Sequence, residues 1–403
     1  MWHTGLCKSK MGRKSSKVTP VIFPLPKRNN YVAQKSTVAK YLKCLIYIES
    51  LLAINRIYLF HPRKLYIFLS YMYCVTLMVL ITFLALQTES VTFAQFVLKY
   101  TVCTEYCLLI LTSIVANKNK LLSFFKNLDT FDNILNITKD IIVIDSAYRS
   151  ILWLSGCVIY HFIEYILLKI YLAFFLDYSL YLMYVMIIAH DCEQIFFFIL
   201  LRNIYMRLVV LKAHVTKVLG VNEDTSGIGK LNKVEALSNN KSLDVHSLHQ
   251  VYDLLHKSSE QLNSLMSFPM ILILLTSGLS TIMLLKMAIL SIKYLTFANA
   301  IAIYLLTRCC KYTALVVIPC YYSSITTAQV SSIRTVLHDA IHTAPLNKIE
   351  RRKVKAFFQL TRENEFCYAL GGVIRLNMSL PLSYMSLCTT YLVISIQFSK
   401  FFD

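Results

Sequence analysis

Residues 389–403 read TTYLVISIQFSKFFD, and they set Gln397 in a stretch otherwise dominated by Val393, Ile394, Ile396 and Phe398. A glutamine amide has donors and acceptors to satisfy, and leaving them unpaired in hydrocarbon costs free energy. Read as a helix, the stretch puts Thr390, Ile394 and Gln397 at i, i+4 and i+7 on one face, with Phe398 beside it. Such a face suits a helix that meets water, or copies of itself, around a central axis. A single hydrogen bond from Gln397 to an adjacent helix would satisfy the amide equally well. The residues leave both arrangements open, and both presuppose a helix in a bilayer.

The rest of the chain agrees with that setting. Of its 403 residues, 56% are hydrophobic and only 16% charged, with a mean hydropathy of +0.55. A soluble chain of this size carries about 25% charged residues. Residues 66–86 and 265–285 are free of charge, and nothing charged follows Arg375 until Lys400. Stretches of that length match a hydrocarbon core about 30 Å thick. Hydropathy places seven spans near 65–86, 92–116, 150–171, 177–201, 265–288, 297–320 and 376–398. Segment 41–60 is apolar but contains Lys43, Glu49 and Arg56, and it reads as a short interfacial or re-entrant helix.

The formal net charge of +19 would suggest nucleic acid as a partner in a soluble protein. Here the charge lies in loops beside the spans. With the N-terminus inside, segments 1–43, 117–150, 202–261 and 334–366 hold 30 of the 41 Lys and Arg residues, while the outer loops and tail hold only Lys293 and Lys400. That asymmetry orients the chain N-terminus inside, C-terminus outside, opposite to a G-protein-coupled receptor. Segment 1–43 holds ten basic residues and no acid, with no apolar run and small-residue cleavage site of a secretory signal. The sequons at Asn136, Asn240 and Asn377 then fall at or inside the inner boundary and are expected to stay unglycosylated.

Two membrane helices are expected to extend inward. Asp244–Ser264 repeats Val245, Leu248, Val251, Leu254, Leu255 and Leu262 at helical spacing and flows into the fifth span. The sixth span continues past Pro319 through TAQVSSIRTVLHDAI. The expected fold is therefore an all-α membrane protein of seven transmembrane helices with helices extending into the cytosol. It divides into a basic N-terminus (1–43), six helices with their extensions (44–375) and a last helix with a short outer tail (376–403).

No nucleotide-binding loop, His-Glu-x-x-His, Gly-x-Ser-x-Gly or Gly-x-Gly-x-x-Gly occurs, so neither an enzyme nor a cofactor is expected. Most of the twelve cysteines fall in apolar segments, and none shows metal-ligand spacing. His190, Asp191 and Glu193 read as partners for cations or backbone groups on neighbouring helices, and Glu105, His161, Glu164, Arg308 and Lys311 as structural pairs, for example Glu105 or Glu164 with Arg308. Among 26 tyrosines, Tyr160, Tyr184 and Tyr304 lie deeper than an interfacial aromatic belt. With Glu164 they are candidates to line a small-molecule pocket in the outer half of the spans.

The last helix also carries a resemblance. Thr390-Tyr391-Leu392-Val393-Ile394-Ser395-Ile396-Gln397-Phe398 resembles the Thr-Tyr, five mostly apolar residues, Gln-Phe signature of the insect gustatory receptor family. Leu370-Gly371-Gly372-Val373-Ile374 resembles the glycine-containing turn that precedes that family's last span. The resemblance implies a tastant-gated, non-selective cation channel in the plasma membrane of sensory neurons, a homotetramer or a heteromer with related subunits. It implies that Gln397, Phe398 and Ile394 line the pore or gate, and that Thr390 and Tyr391 brace the pore helix. Sugar-sensing members typically carry an acid after Thr-Tyr, where this chain has Leu392. Bitter or plant secondary compounds are therefore the expected tastants, with a fructose-type sugar receptor as the alternative. A secondary transporter would show an internal repeat, and the two halves of the chain show none.

Overall fold

The structure is a computed structural model that describes residues 39–40, 42–61, 63–87, 93–115, 118–135, 139–171, 178–220, 244–294 and 298–399. Almost all of the basic N-terminus, the outer loops, Asn136 and Asn240 lie outside these residues.

The described chain is helical except for one small hairpin. A nine-residue helix, α1 (Lys43–Leu51), leads through a 3-10 turn (Ile57–Leu59) into α2 (Lys64–Gln87). Then follow α3 (Phe93–Val115), α4 (Lys118–Ile134), α5 (Lys139–Tyr171) and α6 (Tyr178–Leu219). The second half comprises α7 (Val245–Tyr294), α8 (Ala298–Thr343), α9 (Lys348–Glu363), hairpin strands β1 (Ala369–Leu370) and β2 (Ile374–Arg375), and α10 (Ser379–Ser399). Each of the seven expected spans falls on one helix, α2, α3, α5, α6, α7, α8 or α10, and α5 to α8 run more than ten residues beyond theirs.

Among the described residues five of these helices, within α2, α3, α6, α7 and α8, are long and apolar enough to cross a membrane. Ser379–Ile394 of α10 is a shorter apolar helix. At nine residues, α1 is only about 14 Å long and cannot span a bilayer. Helix α7, with 50 residues, is about 75 Å long, far beyond a hydrocarbon core. Its first half, with the end of α6, α4, the last turns of α8 and α9, forms a bundle outside the apolar zone.

That bundle explains the amphipathic stretches. Tyr252 sits between the rings of Phe357 and Phe366, at 5.7 and 5.5 Å, and its hydroxyl donates to the Asn364 carbonyl at 2.7 Å. Arg334 Nη2 donates to the Thr361 carbonyl at 2.9 Å. Helix α9 starts at a capping box, in which Asn347 and Glu350 satisfy each other's backbone N–H groups. Lys353 donates to Asp244 at 2.9 Å, which holds the Asp244 carboxyl below its usual range. Arg207 of α6, fully buried, meets Asp132 of α4 with Nε at 2.9 Å and Nη2 at 2.6 Å, a two-pronged ion pair.

In the hairpin, Gly371 and Gly372 have φ of +59° and +74°. They are the central residues of a turn closed by the Val373 N–H on the Leu370 carbonyl at 3.1 Å, within a three-residue loop between the paired Leu370 and Ile374, and glycine adopts positive φ without strain. The turn packs on α7: Ser267 Oγ accepts from the Gly371 N–H, and a Cβ on Gly371 would come within 3.1 Å of Ile271 Cδ1.

Candidate functional site

Helix α6 is the hub of the bundle. In its apolar window 83% of residues are buried, against 11% in α2. Polar side chains there reach neither lipid headgroups nor bulk water, so each needs a partner. Successive residues of a helix are turned by about 100°, so His190, Asp191 and Glu193 face three different neighbours.

His190 reaches α3 and α7. Its Nδ1 pairs with Glu105, and its Nε2 lies 3.2 Å from Ser277 Oγ and 3.3 Å from Gln194 Nε2. Asp191 reaches α5 and α8: its Oδ2 lies 2.7 Å from His161 Nε2 and 2.9 Å from Lys311 Nζ. Glu193 reaches back to the chain between α1 and α2. Arg56 bridges Glu193 and Glu49, at 2.6 Å each, with its guanidinium 4.0 Å above the Phe196 ring. Arg56 is therefore what fixes α1 and its following loop to the hub.

The four pocket candidates lie around the Asp191 branch. Glu164 pairs with His161 Nδ1 at 3.0 Å and with Arg308 Nε at 3.6 Å. Tyr304 accepts from Arg308 Nη1 at 3.1 Å. Tyr160 lies under Lys311, 5.3 Å from its ammonium, and Tyr184 meets the His161 ring edge-on at 6.0 Å. Tyr160, Glu164, Tyr184 and Tyr304 thus converge on one network of two carboxylates, two cations and a histidine. The sequence named its members and offered Glu164 as one of two partners for Arg308; the other pairings follow from the packing of α5, α6 and α8.

Cys157, His161 and Asp191 also bring three potential metal donors within 4.8 Å of one another, an arrangement that the sequence spacing did not suggest. The Lys311 ammonium bonded to the same Asp191 oxygen already supplies the positive charge there. At the other end of the hub, a cavity of about 50 Å³ is lined by Asn55, Arg56, Ser113, Glu193 and Pro269. Both side-chain amide atoms of buried Asn55 lack a hydrogen-bond partner among the described residues, and the cavity is large enough for a water molecule.

Helix α10 packs on its own chain by one narrow stripe. Tyr384 and Cys388 are buried, and Leu392 and Ile396 continue the stripe half-buried. The Tyr384 ring lies where a Cβ on Gly278 would meet it at 3.4 Å, so α7 and α10 approach closely there. The rest of the helix is open: Thr390, Ile394 and Gln397 are all exposed along one face, and the Phe398 side chain lies outside the described residues. Thr390 and Tyr391 are exposed on the single chain. Tyr391 is 53% exposed, and the Thr390 hydroxyl donates to the Ser386 carbonyl of its own helix. Tyr384, about two turns earlier, and Cys388, less than one turn earlier, face α7 at Thr281 and Gly278.

A family model described as 7tm chemosensory receptor matches residues 42–402. No curated protein sequence matches the chain. Two solved structures of the insect olfactory receptor OR5 from Machilis hrabei, one in complex with eugenol and one without, have TM-scores of 0.64 and 0.63 to it. Each is 15% identical and covers 89% of this chain and 98% of its own, so the likeness is one of fold. The nearly all-helical fold with several apolar helices agrees with the family match over residues 42–402, and the chain belongs to the 7tm chemosensory receptor family.

Proposed function

We propose that this chain is a subunit of a tastant-gated, non-selective cation channel in the plasma membrane of sensory neurons. It assembles as a tetramer, alone or with related subunits, with its N-terminus in the cytosol. The observation that carries this reading is the placement of α10. A last helix held to its chain by one stripe leaves its Thr390, Ile394 and Gln397 face for contacts outside the subunit, and a polar Gln397 on that face suits a hydrated axis. Gln397, Ile394 and Phe398 form the gate, whose apolar members close it by dewetting. Thr390 and Tyr391 brace α10 against the next subunit.

Tyr160, Glu164, Tyr184 and Tyr304 line the tastant pocket, and plant secondary compounds of the bitter class are its ligands. A sugar is the second reading. What favours it is the density of hydrogen-bonding groups at Glu164, Arg308 and Tyr304, which suits a polyhydroxylated molecule.

Voltage-clamp recording of the chain expressed alone, under a panel of plant alkaloids and sugars, tests both. A cation current without added nucleotide or G protein supports the channel, and the compound that evokes it decides the class. Saturable uptake of a compound with no matching conductance would replace the channel with a transporter.

A further inference from the structure

We propose that the cleft between α1 and the start of α2 binds the phosphate-bearing headgroup of an anionic phospholipid, whose acyl chain runs along α2. The cleft has a volume of about 110 Å³. Lys40, Lys43 and His61 give it a basic lining, while Tyr47, Leu59 and Phe60 form apolar walls. Tyr47 and Phe60 stack at 5.9 Å, Lys43 Nζ lies 5.4 Å from the Tyr47 ring, and the Tyr47 hydroxyl is 3.4 Å from His61 Nε2. Exposed Arg63 and Lys64 follow at the start of α2, and Lys118 lies 4.4 Å from the Tyr71 ring nearby.

No acid among the described residues neutralises this positive charge. Among the described residues, Lys40, Lys43, Arg63 and Lys64 form no ion pair. Glu49, the acid on α1, is buried and already held by Arg56 at 2.6 Å. Cations gathered without a counter-charge at the boundary of the apolar zone repel one another, and an anion placed among them relieves that.

The surface beside the cleft decides the kind of anion. Leu65, Phe68, Leu69 and Met72 follow i, i+3, i+4 and i+7 on α2 and are between 52% and 65% exposed. A phosphate esterified to a lipid meets the cations with its headgroup and this stripe with its chain. A free phosphate uses only the first. This inference does not depend on the channel reading.

The test uses the full-length protein in uncharged detergent, titrated with dioctanoyl phosphatidylinositol 4-phosphate, dioctanoyl phosphatidylcholine and inositol phosphate, with binding read by native mass spectrometry. The anionic lipid is expected to bind, phosphatidylcholine not at comparable concentration, and inositol phosphate more weakly than the lipid. Each lysine at an anionic lipid surface is worth about fivefold in affinity, so Lys40→Gln with Lys43→Gln should weaken binding about 25-fold. Arg63→Gln with Lys64→Gln is a second, independent pair that should also weaken it. Arg352→Gln with Lys355→Gln, exposed on α9, should leave it unchanged. Unaltered affinity in both cleft pairs, an equal loss in the α9 pair, or comparable binding of phosphatidylcholine would overturn the proposal. Inositol phosphate binding as tightly as the lipid would overturn the lipid assignment.

Discussion

Removing the carboxylate of Asp132 should destabilise the bundle beyond the membrane by about 3–5 kcal/mol, the usual cost of stranding one member of a buried pair. Arg207 has no exposed surface, and Asp132 receives its Nε at 2.9 Å and its Nη2 at 2.6 Å. For charge centres about 4 Å apart at an effective dielectric of about 20, the Coulomb energy is also about 4 kcal/mol. In Asp132→Ala the guanidinium keeps only the Asn203 carbonyl at 3.1 Å and the Asn203 side-chain oxygen at 3.3 Å, both reached by Nη1. The assay is heating of the purified full-length chain in detergent, with the surviving monodisperse fraction read by size exclusion. A loss of that size should lower the apparent midpoint by roughly 5–10 °C. The double variant Asp132→Leu with Arg207→Met strands no charge and should be more stable than Asp132→Ala. If Asp132→Ala moves the midpoint by less than about 1 °C, or the double variant is the worse of the two, the pair does not hold the bundle as argued.

Gln397→Ala should change conductance, ion selectivity or resting leak more than agonist potency; dose–response currents that shift only in potency would remove Gln397 from the pore. Gly372→Ala should cost about 1–2 kcal/mol for the forced positive φ alone, and Gly371→Ala more, because its Cβ meets Ile271 Cδ1 at 3.1 Å; a melting comparison that ranks them the other way contradicts the hairpin packing. His249, before the apolar part of α7, has its pKa lowered from 6.5 by burial and by neighbouring His246. A folded pKa below the unfolded one means that the unfolded chain binds more protons in that window, so stability should fall as pH drops through and below about 6.5. His249→Phe should flatten that dependence in melts recorded across the window. Asn136 and Asn240 should remain unglycosylated in expressed protein, as checked by glycosidase digestion; a shift at either site would reverse the orientation.

The parts of this fold that could be read from the chain are those set by a one-dimensional property. Spans followed from hydropathy, and the extensions of α7 and α8 beyond their spans followed from patterns that persisted past the last hydrophobic run. Pairing is a two-body property, and there the chain offered little more than alternatives: Glu105 or Glu164 for Arg308, of which Glu164 is the partner. Nothing in the chain marks Arg207, inside an apolar stretch of α6, as the partner of Asp132 seventy-five residues earlier. His190, Asp191 and Glu193 were legible as groups needing partners because hydrocarbon gives them none, but which helix supplies each one depends on the rotation of α6 within its ring of neighbours. The two glycines were legible as a turn, and their positive φ supplies the reason.

The packing of helix α10 bears on mechanism. Burial within the chain falls at Tyr384 and Cys388, and the Thr390-Tyr391 pair faces outward, where the proposed tetramer would place the next subunit. A helix buried at Tyr384 and Cys388 and only half-buried at Leu392 and Ile396 is held most firmly in its first half. If α10 gates, the hinge is therefore at Tyr384 and Cys388 against Gly278, and motion is largest at Gln397, the end farther from the anchor. Enlarging the contact should stiffen it: Gly278→Ala adds a Cβ at 3.4 Å from the Tyr384 ring, a distance at which the ring packs without displacement. Under the proposed gating, this variant should slow opening while leaving single-channel conductance unchanged, because no atom is added near Gln397. Altered conductance with unchanged kinetics would place the constriction, rather than the hinge, at this end of the helix.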